Sequence, residues 1–198
     1  MVDPAYVEKQ EKAFWRLIKK SQEDSETPKE QIEEIIALLS DKSEEELTAF
    51  EINLRKQLKA LNKPSIIALC TILDNKPEVQ DKRVKFNKKP TQNSFLYFRC
   101  WIVLQGQDVV AAMLDNIEKL VDTDVNIENI KASSLLDAAQ FAFSDDEEDE
   151  TIKKAANKFD RKLNYDSEQV LEDEAVDYDN LDTKYPILAK TVVALNEE

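Results

Sequence analysis

The sequence contains no histidine and only one glycine, Gly106, in 198 residues. The absence of histidine excludes Ser-His-Asp and Cys-His catalysis, and it excludes histidine as a ligand for zinc or iron. A single glycine cannot form a phosphate-binding P-loop or the GxGxxG turn of dinucleotide-binding folds, so nucleotide binding through such loops is not expected. The shortage of glycine also leaves few tight turns for hairpins, which argues against a β architecture.

Cysteine and long hydrophobic runs are scarce as well. Cys70 and Cys100 both lie inside apolar segments, which predicts buried thiols in a reducing compartment rather than a disulfide bond. No apolar run approaches the length of about 18 residues that a membrane-spanning helix needs. The first residues, Met1–Ala5, lack the basic start and the apolar core of a signal peptide, so the cytoplasm is the expected location.

Negative charge dominates the composition, with 41 Asp and Glu against 27 Lys and Arg and a net charge of −14. This charge disfavours binding to nucleic acid or to an anionic membrane, and it favours a protein partner with a basic surface. Residues 144–182 hold fifteen Asp and Glu against five Lys and Arg, whereas residues 75–93 hold six Lys and Arg against two Asp and Glu. We therefore expect a basic loop at 75–93 and an acidic segment at 144–180 as appendages of one helical domain spanning residues 1–198.

Three signals for helix starts lie in the first quarter of the chain. Asp3-Pro4 places a capping side chain before a proline at the first helical position. Thr27-Pro-Lys-Glu30 and Ser43-Glu-Glu-Glu46 are capping boxes, and each precedes apolar residues with helical spacing. The short link between the second and third helices predicts an antiparallel helical hairpin.

The most apolar segment of the chain runs from Ser94 to Gln105 and ends before Gly106. Its apolar side chains cover almost the whole helical circumference, which is typical of a buried helix. Asn93 or Ser94 can cap its start, and Gly106 suits the left-handed residue that follows a helix. The predicted fold class is all-α, a compact domain of about seven to nine helices around this buried central helix at about 94–105.

The first candidate binding site lies on this helix and consists of Tyr97, Arg99, Trp101 and Gln105. A guanidinium among so many aromatic rings must find a carboxylate, several carbonyl groups or an opening to water. Arg99 is therefore either a structural residue with a buried stem or the floor of a pocket that binds an anion or a partner.

Seven acidic residues form the second candidate, a surface for a basic partner. They are Asp145, Asp146, Glu147, Glu148, Glu172, Asp173 and Glu174. The alternative interpretation is a solvated charged face. A calcium site is not expected because the D-x-D-x-D-G pattern is missing, and no other metal or cofactor is predicted. The basic loop at 75–93 is likewise either a solvated loop or a finger that contacts an anionic ligand or partner.

Three short motifs carry a resemblance to a known family. They are Phe14-Trp15-x-Leu17-Ile18, Phe95-x-x-Phe98-Arg99-x-Trp101-Ile102-x-x-Gln105-Gly106 and Tyr185-Pro186-x-Leu188. In this order they resemble the bacterial domain-of-unknown-function family 4240, although this chain has Asn93 where family members usually carry an acidic residue. The resemblance implies a small helical domain, often bacterial and cytoplasmic. It implies no activity and no catalytic residues.

Three functional classes remain open. The most favoured is a protein-interaction module, for example an inhibitor, an immunity-type partner or an accessory protein. The alternative is a regulatory domain that binds a small molecule or an anion at Arg99. An enzyme is the least favoured class, because it would have to work with carboxylates, Lys, Tyr or Cys and no spacing singles out a pair. The sequence makes no prediction of the oligomeric state.

Overall fold

The computed structural model describes residues 3–127, 129–146, 148–163, 165 and 176–196, and the regular structure in them is almost entirely helical. The prediction of an all-α domain is confirmed. The α-helices are α1 (Pro4–Ser21), α2 (Pro28–Leu39), α3 (Glu44–Ala60), α4 (Pro64–Leu73), α5 (Gln92–Leu104), α6 (Gln107–Asp115), α7 (Ala138–Phe143), α8 (Thr151–Phe159), α9 (Leu181–Lys184) and α10 (Pro186–Leu195). Short 3₁₀ helices lie at Ile117–Asp122, Ser133–Asp137, Arg161–Leu163 and Tyr178–Asn180, and the strands are β1 (Glu78–Gln80) and β2 (Arg83–Lys85).

The three predicted helix starts are confirmed by their hydrogen bonds. The Asp3 carboxylate accepts from the amide of the second residue of α1 at 3.0 Å. At α2 the Thr27 hydroxyl accepts from the Glu30 amide, while the Glu30 carboxylate accepts from the Thr27 amide. Ser43 and Glu46 make the same reciprocal pair at α3. These bonds satisfy amide groups that have no partner inside the helix, which fixes where each helix begins.

Helix α5 is buried over most of its length, as predicted, but its start differs from the prediction. Thr91 caps it, rather than Asn93 or Ser94, and the helix begins at Gln92. Gly106 follows its end with a φ of 96°, a conformation that favours glycine, and it also stands immediately before α6. Asp108, a residue type that often caps helices, lies in the first turn of α6, because Gly106 already occupies the capping position.

Helix α3 is buried as deeply as α5. The apolar residues that follow the Ser43 capping box with helical spacing face the core, as predicted, but the opposite face of α3 is also covered. These apolar residues are Leu47, Phe50, Leu54, Leu58 and Leu61. Helices α1 and α5 pack on one side, and α7 and α8 cover the remainder. The apolar spacing alone does not indicate this coverage, because α7 and α8 lie about a hundred residues further along the chain.

A buried ion pair lies beside the leucine stripe of α3. Glu51 is 1% exposed and Arg55 is 2% exposed, and the Arg55 Nε donates to the Glu51 carboxylate at 2.7 Å. The Arg55 Nη1 donates to Asn157 on α8 at 2.6 Å, and the guanidinium stacks 5.0 Å from the ring centroid of Tyr165. The Tyr165 hydroxyl donates to the Glu51 carboxylate at 3.3 Å and to the Leu136 carbonyl at 3.0 Å. Burial raises the pKa of Glu51, while Arg55 and Tyr165 act in the opposite direction.

The segment 75–93 contains a β-hairpin where we expected an irregular loop. Strands β1 and β2 pair antiparallel, and the residues between them, Asp81 and Lys82, have φ values of 51° and 66°. Two consecutive left-handed residues are typical of the type I′ turn, which glycine and asparagine usually form. The hairpin is fastened to α9 because Arg83 makes two bonds of 2.6 Å to the Asp182 carboxylate, which also accepts from the Val84 amide at 2.9 Å.

Both cysteines are free and buried, which confirms the prediction of buried thiols. Burial raises the pKa of Cys70 to about 12 and raises the pKa of Cys100 as well. Neither thiol therefore forms a thiolate near neutral pH, so a nucleophilic cysteine is not indicated at these positions.

The hairpin anchor should respond to acid. The Arg83 guanidinium and the Val84 amide hold the pKa of the Asp182 carboxyl well below its usual range, so the charged carboxylate stabilises the folded state. This stabilisation is present above the unfolded pKa of about 3.9 and is lost as the pH falls through the lower folded value. We expect the NMR shift of the Val84 amide to move only below about pH 4. In Asp182→Asn the amide should already be shifted at pH 7, and an unchanged amide in this variant would contradict the anchor.

Breaking the buried pair on α3 should destabilise the whole domain. Arg55→Leu leaves the Glu51 carboxylate buried without its cation, so we expect the free energy of unfolding to fall by about 3–5 kcal/mol. The measurement is urea unfolding at pH 7 followed by circular dichroism. The matched control is Lys29→Leu, which breaks the exposed pair between Lys29 and Glu33 at the same i, i+4 spacing. The control should cost about 0.5 kcal/mol or less, and equal losses in both variants would contradict the importance of burial.

Candidate functional site

Arg99 is buried in the structure, with 2% of its surface exposed. Its Nη1 donates to the Leu58 carbonyl of α3 at 2.7 Å, and its guanidinium lies 4.6 Å from the ring centroid of Phe95. Burial lowers the pKa of Arg99 to about 10, so the side chain remains charged at neutral pH. Arg99 thereby links the two buried helices α3 and α5. The sequence allowed either a structural residue or the floor of a binding pocket, and this contact corresponds to the structural role.

The other three residues of the first candidate site divide between the core and a cavity. Tyr97 is half-buried, and its carbonyl accepts from the Ala132 amide at 3.1 Å. Trp101 is buried and stacks on Phe98 with ring centroids 5.4 Å apart. Trp101 and Gln105 line one cavity of about 280 Å³, which Tyr97 and Arg99 do not line.

Glutamine side chains shape this cavity around the end of α5. The Nε2 atoms of Gln22 and Gln31 both donate to the Leu104 carbonyl, at 2.7 and 2.9 Å. Gln31 also donates to the Ser21 hydroxyl at 3.2 Å, and the Gln105 Nε2 donates to the Trp101 carbonyl at 3.1 Å. These donors satisfy carbonyls that the end of the helix leaves without an intrahelical partner. Sequence reasoning found Gln105 but missed Gln22 and Gln31, because polar residues near helix ends carry no pattern of their own.

The chemistry of this cavity favours hydrogen-bond donors. The carboxylates of Glu26 and Asp124 lie in its lining, and each glutamine that donates to an α5 carbonyl keeps its own amide oxygen as an acceptor. Carboxylate and amide oxygens suit an amine or a guanidinium group. Such groups are cationic hydrogen-bond donors, like those at the ends of Lys and Arg side chains.

A basic groove of about 510 Å³ adjoins this cavity on the other side of Gln105. Lys12, Arg16 and Lys19 line it from α1, and Gln107 and Asp108 line it from the start of α6. The three cations recur at i, i+4 and i+7 and therefore share one face of α1. Trp15 of the first motif and Gln105 of the central motif also line this groove, although they are 90 positions apart in sequence.

The second candidate, the acidic surface, is only partly described. Asp145, Asp146 and Glu148 are exposed in the link between α7 and α8. Glu147, Glu172, Asp173 and Glu174 lie outside the described residues. The Asp146 carboxylate accepts from the Glu148 amide at 3.0 Å and so stabilises the turn itself, whereas Asp145 and Glu148 make no ion pair with the described part of the chain.

Exposed aromatic side chains lie beside this acidic link. Phe141 and Phe143 of α7 are 41% and 38% exposed, although large aromatic side chains are usually buried more completely. Phe141 lines a small cavity of about 200 Å³ together with Ile32 and Ile36 of α2. Glu33, Lys29 and Lys131 line it as well, and Glu33 is paired with Lys29. Sequence reasoning missed this feature, because an aromatic residue in a short apolar segment is usually buried.

Within the described ranges, no helix is both long and apolar enough to cross a membrane. The same ranges contain no cluster of three or more Asp, Glu or Cys side chains with the arrangement of a metal site.

Replacing Arg99 tests its structural role. In Arg99→Ala the Leu58 carbonyl loses its charged donor and a cavity opens beside Phe95, so we expect the free energy of unfolding to fall by about 2–4 kcal/mol. Urea unfolding provides the measurement. The control is Arg16→Ala on the exposed face of α1, which should change the stability by about 0.5 kcal/mol or less. An unchanged midpoint for Arg99→Ala would contradict the structural assignment.

A comparison with protein-family models identifies the relationship of this chain. The model described as "Protein of unknown function (DUF4240)" matches residues 10–145, which is more than two thirds of the chain. The match contains the first and central motifs, whereas the motif at Tyr185 lies beyond it. Comparisons with curated proteins and with solved structures gave no significant match. The helical domain with the buried Arg99 and the glutamine-lined end of α5 belongs to the DUF4240 family.

Proposed function

We propose that this protein is an interaction module that binds a protein partner with a basic surface. The observation that carries the proposal is the juxtaposition of exposed aromatic side chains and carboxylates around α7, where Asp145 and Glu148 make no ion pair with the described residues. We define this interaction surface by Phe141, Phe143, Asp145, Glu148 and Glu33.

The apolar part of the interaction surface supplies the anchor. Phe141 borders a cavity of about 200 Å³, which is of the size that one apolar side chain of a partner can fill. Aromatic residues beside a pocket are typical centres of binding energy in protein interfaces. Helix α7 has only six residues and is held between α2 and α8, so Phe141 is presented on a fixed support.

The charged part of the interaction surface selects the partner. Asp145 and Glu148 follow α7 directly, and Glu33 approaches from α2. Carboxylates at the rim of an interface accelerate association with a basic partner and make it sensitive to salt, although each contributes little to the final affinity. The acceptor-rich cavity at Gln105 gives the same basic partner a second place for a Lys or Arg side chain.

We place this interaction in the cytoplasm of a bacterium. The free, buried thiols of Cys70 and Cys100 suit a reducing compartment. Binding by complementary charge suits an inhibitor, an immunity-type protein or an accessory subunit, each of which acts by covering a partner.

The proposal is tested by recovering the partner and then changing the interaction surface. The tagged protein is incubated with nuclease-treated lysate of its own organism at about 50 mM and at about 500 mM salt. Exposed charges are weakly screened at the lower concentration and strongly screened at the higher one. Mass spectrometry should identify a basic protein in near-equal amount that is released at the higher salt. The purified partner is then used to measure binding of Asp145→Lys/Glu148→Lys and of Phe141→Ser.

The matched control is Glu23→Lys/Asp24→Lys, which reverses the same number of charges in the exposed turn between α1 and α2. The charge reversal near α7 should slow association about tenfold or more, and Phe141→Ser should accelerate dissociation, while the control retains normal binding. Equal weakening by the control would mean that only the overall charge matters. Recovery of no basic partner at either salt would contradict the proposal.

A further inference from the structure

An apolar depression of the described surface lies between α1 and the α2–α3 hairpin. Its volume is about 430 Å³, within the range of about 300–1,000 Å³ that is typical of small-molecule sites. The floor consists of Phe14, Leu17, Leu38 and Phe50. Phe14 and Phe50 are buried and their ring centroids lie 5.0 Å apart, so the floor is well packed. We refer to this site as the α1–α3 cavity.

Charged side chains of both signs surround the α1–α3 cavity, but their pairing is unequal. Lys42 lies 3.6 Å from Glu46, whose carboxylate also accepts from the Ser43 amide, so these two charges balance each other. Arg16 and Lys20 are exposed on α1 at i and i+4, and neither makes an ion pair with the described residues. The cationic edge of the cavity is therefore the α1 edge.

Asp41 lies on the opposite edge of the α1–α3 cavity, in the link before α3. Its carboxylate repels an anion, so an anionic ligand must carry its charge at one end only. Its charged head must lie toward α1 and its apolar body must lie over the aromatic floor. A cavity with apolar walls and a few charges on one edge orients such a molecule in one direction.

We propose that the α1–α3 cavity binds a small amphipathic anion, a molecule with an apolar or aromatic body and one carboxylate or sulfonate-type head. The head contacts Arg16 and Lys20, and the body covers Phe14, Leu17 and Phe50. The site differs from the interaction surface in position and in the sign of its charge, so the two proposals stand independently.

The test uses 8-anilinonaphthalene-1-sulfonate, a fluorescent molecule with an aromatic body and a sulfonate head. We expect saturable binding of one molecule per chain with increased fluorescence, while circular dichroism shows that the fold is unchanged. Decanoate should displace the probe at a lower concentration than decan-1-ol, because only decanoate carries the charge. Asp41→Asn should strengthen probe binding by removing the repelling carboxylate.

Three variants locate the binding. Arg16→Gln/Lys20→Gln should weaken probe binding about fivefold, the loss expected when two exposed charge contacts are removed. Ala13→Phe changes an exposed residue at the cavity edge and should block the apolar floor without disturbing the core. The matched control is Lys12→Gln/Lys19→Gln, which removes two charges from the same helix but on the edge of the basic groove.

The outcomes distinguish specific from general binding. Normal probe binding in the control, together with weakening in the two cavity variants, supports the proposal. Equal weakening in the control, equal displacement by decan-1-ol or the absence of saturation would each overturn it. Asp145→Lys/Glu148→Lys should bind the probe normally, because these residues lie outside the α1–α3 cavity. Absence of probe binding would therefore overturn only the proposal for the α1–α3 cavity. Absence of a basic partner would overturn only the proposal for the interaction surface.

Discussion

The arrangement of the domain depends on the burial of α3 on all sides. Its leucine stripe joins the core that contains α5, and the Glu51–Arg55 pair flanks this stripe. The face opposite the stripe packs Ala49 and Ile52 against Val7 and Ala156. Two charges inside a protein are tolerated only when further hydrogen bonds satisfy them, and here α8 and Tyr165 provide those bonds. The pair therefore determines where the carboxy-terminal elements must pack, since any other packing would leave a charge without its partners.

The end of α5 shows how the same polar groups organise both structure and surface. Gln22, directly after α1, and Gln31 of α2 both donate to one carbonyl, that of Leu104. This shared acceptor holds α1 and α2 against α5 and also creates the walls of the cavity at Gln105. The cations of α1 then face two separate depressions, because Lys12 and Lys19 border one of them, Lys20 borders the other, and Arg16 lies on the ridge between them.

Features that depend on neighbouring residues could be predicted from the sequence, and features that depend on distant ones could not. The capping boxes at Thr27 and Ser43 and the left-handed Gly106 were predicted correctly because their causes are local. The β-hairpin was missed because Asp81 and Lys82 are not usual residues for its turn, and its stability comes from Asp182, about a hundred positions away. At the candidate site, Trp101 and Gln105 were found on the central helix, but Gln31, Phe141 and the pairing of Arg55 depend on which helices pack together.

The long separation between α3 and the elements that cover it has a consequence for biosynthesis. The ribosome releases α3 well before residues 136–165, so the nascent helix has water on the face where α8 later packs. Glu51 and Arg55 place two charges beside Ala49 and Ile52 on that exposed helix, and a helix without them would expose a more apolar surface, which is prone to aggregation. The same two side chains that order the mature core therefore act as a solubility device on the unfinished chain.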